Sequence, residues 1–301
     1  IGLLMETELW FNLIYACKNK NVPLLLVNAR LSEHSARGYA KVGKLTEDAL
    51  KALSGIAAQT EQDATRFSSL IKDDTKKVSV IGNLKFDVTP PQGEAERGRY
   101  LRGLLGIDRP VFLAASTRDG EEKLILNALA AANVPNLLTI IVPRHPQRFD
   151  EVAKLLEAQR IAYCRRSEFA MGNVASEIPN CQVILGDSMG EMFTYYAACD
   201  AALIGGSLMP LGGQNLIEAC AMGKPVLIGE HTFNFTDASE QAIRAGAAIR
   251  VNEKDLAQKI NLLMTDTAKQ TDMGKAGLVF SKKAAGATQR MLDLIRPYLK
   301  T

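Results

Sequence analysis

An α/β fold with a doubly wound parallel sheet is the class this chain predicts, and three observations carry the expectation. Short apolar runs of strand length alternate with helix-like segments over nearly all of the 301 residues. Residues 203–235, LIGGSLMPLGGQNLIEACAMGKPVLIGEHTFNF, read as strand, glycine-rich turn, helix, strand and loop, a single βαβ unit. A proline- and glycine-bearing stretch over 82–93, GNLKFDVTPPQG, has linker composition and divides the alternation into two α/β portions. The length suffices for two domains with proper cores.

Taken in order, the chain opens with an amphipathic helix expected over 6–18, with no strand before it, followed by a strand over 22–28. Ser32 is a candidate N-cap for a short, positively charged helix. A helix over 48–54, a small-residue strand over 55–58, a helix over 61–70 and a strand over 77–81 complete three strands, half of a sheet. After the linker come strands over 110–115, 137–142, 183–185 and 201–204, separated by helices over 119–132, 149–159 and 189–198, with a helix over 94–105 leading in. The tail alternates once more: helix 237–245, strand 248–251, helix 253–265. A last helix over 284–300 carries Met291, Leu292, Leu294 and Ile295 on one side.

Composition excludes several classes. Hydrophobic residues make up 47% and charged residues 23%, ordinary for a soluble globular protein. A net charge of +3 is too small to argue for nucleic acid. Five cysteines without CxxC spacing fit a reduced cytoplasmic protein. No run approaches the roughly 20 apolar residues of a membrane span, and no signal peptide is expected. The first residue is Ile1, which suggests a piece of a longer protein.

In an open parallel sheet, ligands bind outside the carboxyl ends of the strands. Four loops are expected there. In the first, Ser116-Thr117-Arg118-Asp119-Gly120, the hydroxyls and guanidinium suit phosphate or carboxylate, and a plain helix cap explains the same residues equally. In the second, Pro143-Arg144-His145-Pro146, a cation held between prolines at a strand end favours ligand contact. The third, Gly186-Asp187-Ser188-Met189-Gly190-Glu191, allows close backbone approach, but Ser188 and Glu191 also fit a capping box with no ligand. In the fourth, Gly212-Gly213 delivers the chain to a helix beginning near Asn215, whose free first-turn amides suit an anion. Glu218, at Asn215+3, can point to the same side and suits a ribose diol. An ordinary βα turn is the competing explanation. Together the four loops point to one nucleotide-bearing cleft. Histidines 34, 145 and 231 lack metal-ligand spacing, and there is no Cys/His cluster, GxSxG elbow, Walker A lysine, GxGxxG or Asp-x-Asp pair. No metal or cofactor is called for.

These segments, with Met5-Glu6-Thr7-Glu8-Leu9-Trp10, Asn28-Ala29-Arg30-Leu31-Ser32, Ala114-Ala115-Ser116-Thr117, Gly205-Gly206-Ser207-Leu208 and His231-Thr232-Phe233-Asn234-Phe235, resemble the 3-deoxy-D-manno-octulosonic acid (Kdo) transferases of lipopolysaccharide synthesis. The resemblance implies a GT-B fold, two Rossmann-like domains facing a cleft. It implies a remnant of the amino-terminal acceptor domain over 1–83, a linker over 84–96, a CMP-Kdo-binding domain over 97–283 and a carboxyl-terminal helix over 284–301. CMP contacts carried over by motif are Pro143 and Arg144, then Met189, Gly190 and Glu191, then Asn215, Leu216, Ile217 and Glu218. Ser116, Thr117 and Gly213 are possible further donor contacts. The implied reaction is inverting and metal-independent, from CMP-Kdo to a lipid A precursor at the cytoplasmic face of the inner membrane. Family members often have Pro where Leu216 and Phe11 stand, and His where Arg118 and Gln214 stand. The family's general-base glutamate belongs to a part preceding the Met-Glu-Thr-Glu-Leu-Trp motif, so this chain is expected to bind donor without transferring it. Glu6 and Glu8, at i and i+2 of the expected helix, face different sides. Another GT-B enzyme using a UDP-sugar, as transferase or non-hydrolysing epimerase, is the alternative, and a nucleotide-binding module without catalysis is a third.

Overall fold

The computed structural model describes residues 1–7, 9–72, 74–168 and 180–299. The chain divides into two compact units, Ile1–Asp87 with Ala284–Thr301, and Val88–Lys283.

The first unit is built on four parallel strands in sequential order: β1 (Gly2–Met5), β2 (Leu24–Ala29), β3 (Gly55–Ala58) and β4 (Val78–Val80). Helices α1 (Phe11–Asn19), α2 (Glu33–Val42), α3 (Lys44–Ala52) and α4 (Glu61–Ile71) connect them. Strand β2 is buried along its whole length, because its alternate side chains feed two cores. Leu24 and Leu26 pack with Ile14, Leu50 and Phe67 on one face, and Leu25 and Val27 with Ala57, Met291 and Ile295 on the other. The strand β1 corrects the expectation that the chain opens on a helix. Its four residues are too few to show a period, so only the parallel register, Gly2↔Leu24 to Met5↔Val27, reveals it. Glu6 follows in the left-handed region at φ 56°, and helix begins only at Phe11. Glu6 therefore occupies a turn, and Glu8 lies outside the described residues. Ser32 caps α2 as expected, its Oγ accepting the Ser35 amide.

The last helix, α13 (Ala287–Ile295), completes this unit after the intervening helices of the second. Met291 and Ile295 are buried and Leu294 packs beside them, whereas Leu292, expected on the same side, is half exposed. The helix is held at its start by a residue two hundred positions away. The Asp87 carboxylate accepts the backbone amides of Gly286, Ala287 and Thr288. Burial pushes this carboxyl up, but the hydrogen bonds from Thr288, Gly286 and Ala287 outweigh it and hold it below the ordinary value.

The second unit carries seven parallel strands: β5 (Val111–Thr117), β6 (Leu138–Pro143), β7 (Tyr163–Arg165), β8 (Val183–Leu185), β9 (Ala201–Ile204), β10 (Val226–Ile228) and β11 (Ala248–Arg250). Their order is β11-β10-β9-β5-β6-β8-β7. The chain winds outward from β5 through β6, then returns to lay β9 on the other side of β5, which makes a topological switch beside β5. Helices α5 (Glu94–Leu105), α6 (Glu121–Ala132), α7 (Phe149–Ala158), α8 (Met192–Ala198), α9 (Ile217–Ala221), α10 (Thr236–Arg244), α11 (Leu256–Thr265) and α12 (Thr267–Ala284) link or cover them. The edge strand β7 and the helix α12 are additions to the expected elements. Three residues at an edge carry no period, and α12 is mostly polar, burying Met273 and Phe280 among exposed lysines.

One carboxylate organises the rim of this sheet. Glu121, the first residue of α6, is fully buried and accepts the backbone amides of Arg118 (2.9 Å), Gly206 (2.6 Å) and Leu208 (2.9 Å). It thereby ties the turn after β9 to the turn after β5. The two turns touch directly at Gly205, where an added Cβ would lie 2.3 Å from the Ser116 carbonyl oxygen, a backbone atom that cannot swing away. Beside it, the equally buried Glu122 accepts the Thr117 hydroxyl (2.6 Å) and a bidentate pair from Arg148 (2.6 and 3.1 Å). Glu121→Ala leaves up to three amides unpaired and is expected to cost about 3 kcal/mol or more of unfolding free energy. Urea denaturation measures it, and Glu121→Gln, which keeps one acceptor, should fall between. Gly205→Ala should destabilise by about 2 kcal/mol or more in the same assay.

Candidate functional site

Four loops at the carboxyl ends of β5, β6, β8 and β9 surround a cavity of about 230 Å³. Each is shaped by a local device. Strand β5 ends in a bulge, with the register against β6 slipping between Ala115 and Thr117 and Ser116 in the left-handed region at φ 57°. The bulge turns the two hydroxyls apart. Ser116 lines the cavity, while Thr117 is buried and donates to Glu122, away from the cavity wall.

Strand β6 runs out at Pro143, and the ladder continues one residue further, the Arg144 amide donating to the Thr117 carbonyl at 2.9 Å. Pro143 and Arg144 both line the cavity. The Arg144 side chain is exposed and forms no ion pair with the described residues, although its charge reaches Glu218.

The loop after β8 is braced from beneath. Asp187 accepts the Ser167 amide (2.8 Å) and hydroxyl (2.7 Å) and pairs with Arg165. Ser188, Met189, Gly190 and Glu191 then form the wall of the cavity, with Gly190 at φ 81°. The capping box expected of Ser188 and Glu191 is not formed. Glu191 is itself the N-cap position of α8, so the helix begins three residues too late for Ser188 to cap it. The two side chains bond each other instead: Ser188 Oγ donates to the Glu191 carboxylate and shares a hydrogen bond with the Tyr195 hydroxyl. Arg166, buried below, closes the network on Glu191 at 2.7 Å. Sequence reasoning misses Arg166 because no local pattern connects it to Glu191, 25 positions on.

After β9 the glycine-rich loop folds back on itself. The Gly213 amide donates to Gly206 (2.7 Å) and the Gln214 amide to Gly205 (3.0 Å). Gly213 thus shapes the loop from behind, while Gln214, Asn215 and Glu218 line the cavity. Leu216 and Ile217 are completely buried and form the support under the site. Helix α9 spans only five residues, and Asn215 Oδ1 already accepts the Ile217 amide at 3.0 Å. The expected set of free first-turn amides is therefore reduced, and the macrodipole of so short a helix is small. Asn215 Nδ2 donates to Glu218 at 3.2 Å. Burial pushes the Glu218 carboxyl up, opposed by the Asn215 hydrogen bond and the Arg144 charge.

Chemically, the cavity presents one unpaired guanidinium, a half-buried carboxylate able to accept hydroxyl donors, and a backbone-rich wall at Met189–Gly190. That combination suits a ligand with an anionic group at one end and hydroxyls at the other. Among the described residues no group of three or more His, Cys, Asp or Glu side chains is arranged to hold a metal ion, and no helix is long and apolar enough to cross a membrane.

Comparison with known proteins agrees with this architecture. Residues 1–88 match the family described as 3-deoxy-D-manno-octulosonic-acid transferase (kdotransferase), and residues 175–279 match the group 1 glycosyl transferases. The crystal structure of the C-terminal CMP-Kdo binding domain of WaaA from Acinetobacter baumannii is 29% identical, with a TM-score of 0.54 over 64% of this chain and 98% of that one. The fold is shared with HepE of Anabaena, solved with UDP, at 17% identity and a TM-score of 0.60 over 98% of this chain and 79% of that one. The Kdo transferase of Haemophilus influenzae is 38% identical over 99% of this chain and 69% of its own length. That of Bordetella pertussis reaches 43% identity with the same coverage. The chain, two Rossmann-like parallel sheets on the GT-B plan, belongs to the 3-deoxy-D-manno-octulosonic acid transferase family of glycosyltransferases.

Proposed function

We propose that the second unit holds the CMP part of CMP-Kdo in the cavity at its sheet rim, and that the protein serves transfer of Kdo to a lipid A precursor. The observation that carries this is convergence: Arg144, Gly190, Asn215 and Glu218, from three separate loops, line one cavity. In this reading Arg144 meets the phosphate, where a guanidinium forms paired charge-assisted hydrogen bonds. Glu218, steadied by Asn215, accepts the ribose hydroxyls. Met189, Gly190 and Glu191 border the base, with Leu216 and Ile217 fixing the floor. Ser116 lies beside the phosphate, and Gly213 acts through the loop it closes.

The reaction follows from those positions. A carboxylate takes a proton from an acceptor hydroxyl, the hydroxyl oxygen attacks the anomeric carbon with inversion, and CMP departs. Arg144 offsets the charge growing on the phosphate, so this step draws its electrostatic stabilisation from the protein without a metal ion. Neither carboxylate of the cavity is assigned as the base: Glu191 is bound to Arg166 and Ser188, and in this reading Glu218 is given to the ribose. A lipid acceptor puts the reaction at the cytoplasmic face of the inner membrane.

Calorimetry should give binding of CMP, with UDP markedly weaker. Equal or better binding of UDP would favour a UDP-sugar enzyme of the same fold. Arg144→Ala should weaken CMP by about 10- to 100-fold, the worth of charged hydrogen bonds, and Arg144→Lys should recover part of the loss.

Glu218 gives a prediction with a defined sign. Because its folded carboxyl is raised above the unfolded value, its protonated form favours folding at acid pH, and that contribution is lost as pH rises through the folded value. Glu218→Gln should therefore melt higher than the parent near neutrality, with the difference shrinking toward pH 4, while CMP binding weakens. A melting difference that does not change with pH would show that this carboxyl does not titrate as described.

A further inference from the structure

Past the edge of the nucleotide cavity, two side chains crowd one glycine. A Cβ placed on Gly206 would stand 3.3 Å from Gln214 Nε2 and 3.5 Å from Arg118 Cγ, so both side chains converge over that residue. Gln214 and Ser116 also line the cavity. Arg118 is half-buried, and its guanidinium has no ion-pair or hydrogen-bond partner among the described residues. Its neighbours at this rim are treated differently: Arg148, Arg165 and Arg166 are each paired with buried or half-buried carboxylates. Desolvating a cation without a partner costs stability. An arginine left so at a ligand cavity is aimed at an anion that arrives from outside.

Arg118 also stands next to the phosphate position. The residue before it, Thr117, accepts the Arg144 backbone amide, so the two unpaired arginines lie on adjacent strand ends. The cavity, at about 230 Å³, is below the roughly 300–1,000 Å³ of sites that enclose a whole small ligand. A nucleotide-linked sugar must extend beyond it. In a 2-keto sugar acid the carboxylate is carried on the anomeric carbon, one bond from the atom that bears the phosphate oxygen. Such a donor presents two anions side by side, and the rim carries two unpaired arginines on adjacent strand ends.

We propose that Arg118 and Gln214, set over Gly206, form the subsite that recognises the carboxylate of the donor's sugar acid, with Arg144 left to the phosphate. The arginine supplies the charge and the glutamine a neutral donor. This rests on the reading of the cavity as a CMP site.

The test uses the whole chain and three probes: CMP, a non-cleavable CMP-linked 2-keto sugar acid, and the same conjugate with its carboxylate converted to the neutral amide. The parent should bind the acid about tenfold or more tighter than the amide. In Arg118→Ala that preference should disappear while CMP affinity stays within about twofold, and Arg118→Lys should restore part of it. A parent that does not distinguish acid from amide would overturn the subsite, as would Arg118→Ala that keeps the preference or weakens all three probes alike. Failure of the parent to bind CMP itself would instead remove the nucleotide site, and the subsite with it.

Discussion

A carboxylate cut off from solvent holds the second unit's rim in register. Glu121 is the first residue of α6, where a negative charge is favoured by the helix. Its oxygens face amides from the turns after β5 and β9. Those turns approach to the limit of backbone contact at Gly205. A glycine-rich turn left to itself samples many conformations. With two of its amides bound to one fixed carboxylate it has a single one, and the positions of Ser116, Gln214 and Asn215 around the cavity follow. The costs of burying the charge and ordering the glycines are met by one set of charge-assisted bonds.

The same rim sorts its cations. Arg148, Arg165 and Arg166 are used up in fixing loops, on Glu122, on Asp187 with Asp150, and on Glu191. Burial weakens the Arg148 charge, but Glu122, Asp119 and Glu151 around it more than restore it. Arg144 and Arg118 are left over. Rigidity is thus supplied by paired charges, and in the proposed reading affinity is left to the unpaired ones on a loop framework already fixed.

Much of this is legible in the chain, and what is not shares one physical cause. Apolar or small-residue runs bounded by turn residues, glycine turns and near-neighbour caps depend on residues close in sequence, so 55–58, 183–185, 201–204 and Ser32 can be read directly. The strand β1 escapes because GLLM fits a helix or a strand until β2 is beside it. Glu121 reads as an ordinary first-turn acid, since its partners Gly206 and Leu208 stand 85 and 87 positions away. Ser188 and Glu191 mislead in the opposite direction. Their spacing satisfies a capping pattern, but the helix begins later and the two side chains find each other. At the site, the loops carrying Pro143, Arg144, Met189, Gly190 and Asn215 are visible from strand ends alone. The inward turn of Thr117 is not, because it depends on a bulge and on a buried acceptor in the next helix.

Asp87 and α13 have a further effect. The two-faced sheet of the first unit has its second core finished only by Met291 and Ile295, delivered at the far end of the chain. During synthesis Leu25, Val27 and Ala57 are therefore made well before the helix that covers them, and stay uncovered in the meantime. Closing of that core is thus tied to completion of the second unit, whose residues lie between the sheet and the helix that covers it.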